Sequence, residues 1–212
     1  MPGGCKTDSV RRSDGHRLIS IQGLFGSGKT TTAKLLANRF GAELVLDGHN
    51  QNPFLAKFYT DPDRYSVETE LFFMAMYYHR FKDLDPSRDA VSDFSLGTCA
   101  TFLRARHSGA ELDALLGIRG YLATQVPTPD LTIYLDVSVD TALERIAQRG
   151  RPMERDFSRA LLERLDAEYK VDLSALGHRV EVLKIAASES PQQVLARATK
   201  AVGALSGGEL GL

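Results

Sequence analysis

A glycine-rich segment near the start of the chain constrains the fold more than any other feature. Residues 23–30 read Gly-Leu-Phe-Gly-Ser-Gly-Lys-Thr and match the pattern G-x-x-x-x-G-K-[ST] of a phosphate-binding loop. The apolar residues 18–21 before it are typical of a buried strand, and the apolar spacing after it predicts a helix over residues 29–40. The segment therefore has the strand, loop and helix order that the motif requires.

Each residue type in this loop has a physical role. Glycines let the backbone turn tightly and direct successive N–H groups at an anion near the positive end of the following helix. The lysine supplies a charge for the β- and γ-phosphates, and the threonine hydroxyl is placed to bind Mg²⁺. The alternative interpretation is a glycine-rich turn with an incidental lysine. The predicted nucleotide-binding residues are Gly23, Gly26, Ser27, Gly28, Lys29, Thr30 and Thr31.

Composition narrows the classes of partner. A net charge of -1 over 212 residues gives no electrostatic basis for binding a nucleic-acid polymer or an anionic membrane. Cys5 and Cys99 form neither a disulfide framework nor a metal-binding spacing, which favours a reducing cytoplasm. No apolar run approaches the length of a membrane span. We therefore expect a cytoplasmic protein that acts on a small molecule.

Strand-like and helix-like segments alternate along most of the chain. We expect a disordered lead-in over residues 1–16, one domain over 17–205 and a flexible tail over 206–212. The predicted strands cover residues 18–22, 43–46, 90–93, 131–135 and 180–185. The predicted helices cover residues 29–40, 63–81, 98–106, 111–124, 139–149, 158–169 and 191–205. This alternation predicts an α/β three-layer sandwich with a five-stranded parallel sheet between helices.

Two aspartates directly follow predicted strands, at the sheet edge where ligands of such folds bind. Asp47 would face the phosphate loop and is a candidate base for an attacking alcohol, although an aspartate also commonly starts a turn. Asp93 is a candidate Mg²⁺ ligand opposite Thr30, and the alternative is a helix cap or turn.

An arginine-rich stretch follows the fourth predicted strand. Charge runs are usually solvated surface, but here Gly150 and Pro152 are expected to lift Arg149 and Arg151 off the helix as a mobile loop. Together with Arg145, these guanidinium groups would close over a transferring phosphate and stabilise its charge.

Several spacings resemble those of the deoxynucleoside kinase family. Where that family has a carboxylate and then Asn-Pro five residues later, Asp47 is followed by Asn52-Pro53. A tyrosine, Tyr59, comes next, and residues 62–65 (Pro-Asp-Arg-Tyr) lead into a long helix as in that family. The resemblance implies an adenylate-kinase-like fold, a homodimer, and ATP- and Mg²⁺-dependent phosphorylation of a nucleoside 5′-hydroxyl.

The resemblance also implies roles for individual residues. Asp47 would be the base, and Tyr59 and Glu154 would bind the sugar 3′-hydroxyl. Arg145, Arg149 and Arg151 match the lid pattern R-x-x-x-R-x-R that clamps the γ-phosphate.

Departures from the family pattern are concentrated in the acceptor half of the site. Phe94 and Tyr77 stand where many members have arginine, and Cys99 or a neighbour stands where an aspartate is common. Glu70 replaces the base-binding glutamine; an ionised carboxylate only accepts hydrogen bonds, which favours guanine or a cationic acceptor. Alternatively, Glu70 pairs with an arginine such as Arg80 or Arg104, or is protonated and mimics glutamine. Two other functions stay open: a kinase for a non-nucleoside, amine-bearing metabolite, and a regulatory nucleotide-binding protein without catalysis.

Overall fold

Five parallel strands form one sheet in the computed structural model, which describes residues 15–150 and 158–206. The strands are Leu18–Gly23 (β1), Glu43–Val45 (β2), Ala90–Ser92 (β3), Leu131–Asp136 (β4) and Arg179–Lys184 (β5). Their order in the sheet is β2-β3-β1-β4-β5. The predicted five-stranded parallel sheet is confirmed, with strand ends within one or two residues of the predicted ones. The predicted lead-in and tail lie almost entirely outside the described residues.

Helices flank this sheet. In the described part of the chain they are Lys29–Phe40 (α1), Leu55–Thr60 (α2), Pro62–Lys82 (α3), Leu96–Arg106 (α4), Gly109–Ala123 (α5), Val139–Arg149 (α6), Arg159–Ala175 (α7) and Pro191–Ser206 (α8). A short 3-10 helix covers His49–Gln51. Two differences from the sequence prediction stand out. The six-residue α2 is too short to show helical periodicity, and α7 continues six residues past the predicted end at Tyr169.

The core occupies both faces of the sheet. Ile19 and Ile21 of β1 are buried in one cluster with Leu36 of α1, whereas Leu18 is buried in a second cluster with Met74 of α3. Because successive side chains of a strand point to opposite faces, these clusters place helices on both faces. Every residue of β1 is buried, as expected for a central parallel strand.

The strand order brings three loops together at one edge of the sheet. Ser20 of β1 and Val45 of β2 both pair with Ser92 of β3, so the segments that follow these three strands start side by side. This edge carries the phosphate loop and both aspartates selected from the sequence. No helix among the described residues is long and apolar enough to cross a membrane.

Candidate active site

The phosphate loop is shaped by glycines in contact with neighbouring backbone. Gly23 has φ 145°, and a Cβ placed on it would lie 2.7 Å from the carbonyl oxygen of Leu135 in β4. Gly26 has φ 76°, and its Cβ would lie 2.7 Å from the carbonyl oxygen of Ala142 in α6. Both the dihedral angle and the lack of space exclude a side chain at these two positions. The loop is thus held tightly between β4 and α6.

Polar groups of the loop are arranged to receive an anion. Lys29 Nζ donates hydrogen bonds to the carbonyl oxygens of Gly23 and Leu24, both at 2.9 Å, which folds its charge over the loop. The hydroxyl oxygen of Ser27 is buried and has no hydrogen-bond partner among the described residues. Buried hydroxyls normally have a partner. These residues therefore fit a bound phosphate chain, with the first turn of α1 directly behind it.

Thr30 and Asp93 form an oxygen pair suited to Mg²⁺. Thr30 Oγ1 donates to Asp93 Oδ2 at 2.6 Å. In the described ranges no group of three or more His, Cys, Asp or Glu side chains is arranged to hold a metal. Mg²⁺ bound to nucleotide phosphates needs only one or two protein oxygen ligands, so this pair fits it. The cap of α4 is Ser95, whose Oγ accepts from the Thr98 N–H at 3.1 Å, so Asp93 does not cap that helix.

Asp47 lies next to this pair. Its backbone N–H donates to Asp93 Oδ1 at 2.8 Å. Asp47 Oδ1 accepts from the backbone N–H of His49 at 3.1 Å and lies 3.0 Å from His49 Nδ1. The aspartate therefore makes the turn that the sequence offered as the alternative, and its side chain also lines the cavity described below.

The two adjacent carboxyl groups have different acidities. Burial raises the pKa of Asp93, and the charge of Asp47 raises it further. The hydrogen bond from Thr30 lowers this pKa but does not cancel the other two effects. Burial alone would also raise the pKa of Asp47, but the hydrogen bonds and charge of His49 outweigh it, so that the pKa lies below its ordinary value. Asp47 is consequently ionised at neutral pH, the state that a proton acceptor needs.

One cavity of about 700 Å³ joins these groups to the acceptor side. That volume lies in the usual range for small-molecule sites. Of the predicted site residues, the cavity brings together Gly26, Gly28, Lys29, Thr30, Thr31, Asp47, Tyr59, Glu70, Asp93, Arg145 and Arg149. Gly23 and Ser27 belong to the same loop, whereas Arg151 and Glu154 lie outside the described residues.

The acceptor end of the cavity contains an ion pair between Glu70 and an arginine, the kind of pairing that the sequence left open as an alternative. Glu70 pairs with Arg106, with Arg106 Nη1 at 2.5 Å from Glu70 Oε1, and not with Arg80 or Arg104. Arg80 instead donates to the carbonyl oxygen of Leu46, while Arg104 pairs with residues of α7. The reason is that α3 packs against α4, which places Glu70 next to the last residue of α4.

Aromatic rings cover the positions where the family has arginine. The rings of Tyr77 and Phe94 pack against each other with centroids 4.2 Å apart and a tilt of 32°, and the ring of Phe81 also packs against Phe94, with centroids 4.8 Å apart. Burial raises the pKa of Tyr77 and of the Cys99 thiol, so both groups remain neutral. This wall of the cavity therefore offers apolar surface and neutral polar groups.

The lid prediction requires a correction. Arg149 is the last residue of α6 and does not lie in a loop; the N–H of Gly150, which ends the helix in the left-handed conformation, donates to the carbonyl oxygen of Ile146 at 3.2 Å. Glycine at this position ends the helix after Arg149, as the predicted helix over residues 139–149 requires, so only the expected loop position of Arg149 is wrong. Arg145, one helical turn earlier, lies on the same face of α6, and both arginines line the cavity.

A second, smaller cavity of about 310 Å³ also adjoins the phosphate loop. It is lined by loop and α1 residues together with Arg145, Glu189, Pro191 and Val194. Gly26, Gly28, Thr31 and Arg145 border both cavities, so the two spaces meet at the phosphate loop.

Comparison with known proteins identifies the family. The sequence profile described as deoxynucleoside kinase matches residues 19–200, which is most of the chain. The chain belongs to the deoxynucleoside kinase family. This kinase is 32% identical over 166 residues to the protein named deoxyguanosine kinase in Bacillus subtilis (strain 168), a match covering 74% of this chain and 79% of that relative. It is 31% identical over 165 residues to the deoxyadenosine/deoxycytidine kinase of the same organism, covering 72% and 75%.

Solved structures agree with this assignment at the level of the fold. A structure of deoxyadenosine kinase from M. mycoides, described with dCMP and a flexible dCDP bound, superposes on this kinase with a TM-score of 0.78. The match covers 89% of this chain and 99% of that chain at 19% sequence identity. The predicted P-loop nucleoside kinase fold is confirmed.

Sequence reasoning missed several residues of the site in this kinase. His49, Phe73, Phe102 and Arg106 all line the cavity. Helical spacing was an available signal, because Glu70, Phe73 and Tyr77 share one face of α3 as Cys99, Phe102 and Arg106 share one face of α4. No local signal marks His49, which contacts Asp47 through a turn formed only in the folded loop.

Proposed function

We propose that this kinase transfers the γ-phosphoryl group of ATP to the 5′-hydroxyl of a deoxynucleoside. The single observation that carries the proposal is the position of Asp47. It lines one cavity together with the phosphate loop and with the residues of what we call the acceptor chamber: Tyr59, Glu70, Phe73, Tyr77, Phe94 and Arg106. An alcohol bound in that chamber would meet an ionised carboxylate and a phosphate donor at the same point, as phosphoryl transfer requires.

The proposed roles follow from the contacts. The loop amides and Lys29 hold the phosphates, and Thr30 and Asp93 hold Mg²⁺, which neutralises phosphate charge when bound. Asp47 accepts the proton of the acceptor hydroxyl, and Arg145 and Arg149 neutralise the charge that develops on the transferred group.

The remaining parts of the site complete this proposal. Tyr59 binds the sugar of the acceptor together with Glu154, and Arg151 joins the arginine clamp. The donor nucleoside extends towards the second cavity, beside Pro191 and Val194. We further propose that the kinase forms a homodimer, as the family resemblance implies. Its composition favours a cytoplasmic location.

Membership in a family of kinases favours deoxynucleoside phosphorylation over the other two functions, a metabolite kinase and a regulatory nucleotide-binding protein. The test measures ADP release with ATP, Mg²⁺ and a panel of four deoxynucleosides and several amine-bearing alcohols. Turnover is expected with at least one deoxynucleoside. Turnover with the amine-bearing alcohols alone would establish the metabolite kinase, and ATP binding without any turnover would establish the regulatory protein.

Replacing Arg149 is expected to affect turnover more than ATP binding. Its guanidinium group lines the cavity from the end of α6, and its interaction with phosphate should strengthen as charge develops during transfer. We expect Arg149→Ala to lower kcat by about tenfold or more while the Kd for ATP changes less. Equal losses in kcat and in ATP affinity would show that Arg149 binds the ground state only.

Asp93→Asn tests the proposed metal site. Asparagine has nearly the same size and still offers one oxygen to Thr30, but it lacks the negative charge that favours Mg²⁺. The Mg²⁺ concentration for half-maximal rate is therefore expected to rise by about tenfold. A lower rate with an unchanged Mg²⁺ requirement would mean that Asp93 acts only by holding the backbone of Asp47.

A further inference from the structure

The acceptor chamber contains an ion pair that is almost completely enclosed. The side chain of Glu70 is 4% exposed and that of Arg106 is 13% exposed, and they meet through Arg106 Nη1 and Glu70 Oε1 at 2.5 Å. Both residues line the cavity. Removing two charges from water costs several kcal/mol per ion, which their attraction recovers only with good geometry and further hydrogen bonds. The pair is thus a costly element placed where the acceptor binds.

Stacking holds the guanidinium group of Arg106 in place. Its central carbon lies 4.5 Å from the ring centroid of Phe58 and 5.4 Å from that of Phe102. Phe58 belongs to α2 and Phe102 to α4, so the arginine also joins α2, which carries Tyr59, to its own helix α4. Contacts with ring faces leave the N–H groups, which lie in the guanidinium plane, free to point at hydrogen-bond acceptors.

The hydrogen bonding of the pair is incomplete. Among the described residues, Arg106 donates one hydrogen bond to Glu70, from Nη1 to Oε1. This bond involves only one of the two carboxylate oxygens of Glu70. The groups that remain available for hydrogen bonding are therefore an acceptor, Glu70 Oε2, and the other N–H donors of the Arg106 guanidinium group. A ligand edge that complements them must present a donor and an acceptor side by side.

We propose that Arg106 and Glu70 together read the base of the acceptor and select guanine. This inference rests on the proposed deoxynucleoside kinase function. The guanine edge has the acceptor O6 next to the donors N1–H and N2–H₂, so that Arg106 donates to O6 while Glu70 accepts from N1–H and N2–H₂. Adenine has one donor group and no oxygen on this edge, and cytosine and thymine each have a single donor position. Guanine alone satisfies both the carboxylate and the guanidinium group with three contacts.

The experiment compares kcat/KM for deoxyguanosine, deoxyinosine, 2-aminopurine deoxyriboside and deoxyadenosine. Deoxyinosine keeps O6 and N1–H but lacks the 2-amino group, whereas 2-aminopurine keeps the amino group and lacks O6. For the unmodified enzyme we expect deoxyguanosine to exceed deoxyadenosine by about tenfold or more, since a mismatched buried pair costs that much. Deoxyinosine should resemble deoxyguanosine more closely than 2-aminopurine deoxyriboside does.

Three variants distinguish recognition of the base by Arg106 and Glu70 from a purely structural role of Arg106 in holding α2. Arg106→Lys keeps the charge but loses the planar fork, so kcat/KM should fall about tenfold for the two purines with O6 and less for the two without it. Glu70→Gln should shift preference from guanine towards adenine and the pyrimidines by about tenfold. The double variant Glu70→Gln with Arg106→Met has no unpaired buried charge, and it should fold and have lost its preference for guanine.

Arg104 supplies the matched control. It lies on the same helix and pairs with Glu168 and Asp172 of α7, outside the cavity lining. Arg104→Lys should leave the ranking of the four purines unchanged. An equal loss for all four in Arg106→Lys, with a ranking retained in the double variant, would show that Arg106 only braces α2 and would overturn the inference. An unmodified enzyme that phosphorylates deoxynucleosides without preferring guanine would also overturn it, whereas no turnover with any deoxynucleoside would contradict the proposed function itself.

Discussion

Lys29→Ala is expected to lower kcat by about a thousandfold or more, because a fixed positive charge on the transferring phosphates is lost. In the structure, Lys29 Nζ is held over the loop by the carbonyl oxygens of Gly23 and Leu24. These two bonds lie within the loop, so their loss should cost about 1 kcal/mol and shift the melting temperature by about 2–4 °C. ADP release and thermal unfolding measured on the same samples test both expectations.

The matched control for this change is Lys82→Ala at the exposed end of α3, where the side chain lies 5.8 Å from the ring centroid of Tyr78. Its turnover should equal that of the unmodified enzyme. If Lys29→Ala kept turnover near that level, the donor phosphates would not lie on this loop. A lost activity accompanied by a melting temperature lower by ten degrees or more, roughly three times the expected shift, would instead indicate collapse of the loop.

Asp47→Asn is expected to lower kcat by about a hundredfold or more, since the proton acceptor is removed while size and shape are kept. An asparagine oxygen can still accept the hydrogen bonds that His49 donates to Asp47 Oδ1, so the turn should persist. Acceptor binding, measured by titration calorimetry without ATP, should change little. The effect would then appear in kcat and much less in KM.

A second carboxylate provides the comparison for Asp47. Asp136 ends β4 at the same edge of the sheet, but it is not among the described residues that line the cavity. Asp136→Asn should therefore retain full turnover. A result in which Asp47→Asn kept its kcat and lost acceptor affinity would make Asp47 a binding group and would leave proton transfer to another residue or to water.

Much of the fold can be predicted from short segments of this chain. The phosphate loop follows from eight consecutive residues and their flanks, and the five strands follow from apolar runs and the residues that end them. The six-residue α2 could not be predicted in this way. Its separation from α3 depends on Asp61, whose side chain accepts from the Arg64 N–H at 3.3 Å, and on Pro62 at the start of the next helix.

The sequence by itself determined the phosphate loop, the parallel sheet and the aspartates that follow its strands. These features depend on backbone conformation and burial over a few neighbouring residues, and the chain order alone encodes them. Only the tertiary structure decided the partner of Glu70, because Arg106 is 36 residues away and reaches it through the packing of α4 against α3. It also decided that His49 adjoins the proposed base and that Arg106 lines the cavity. Side-chain pairing between distant segments depends on distances of a few tenths of an ångström, which no spacing in the sequence specifies.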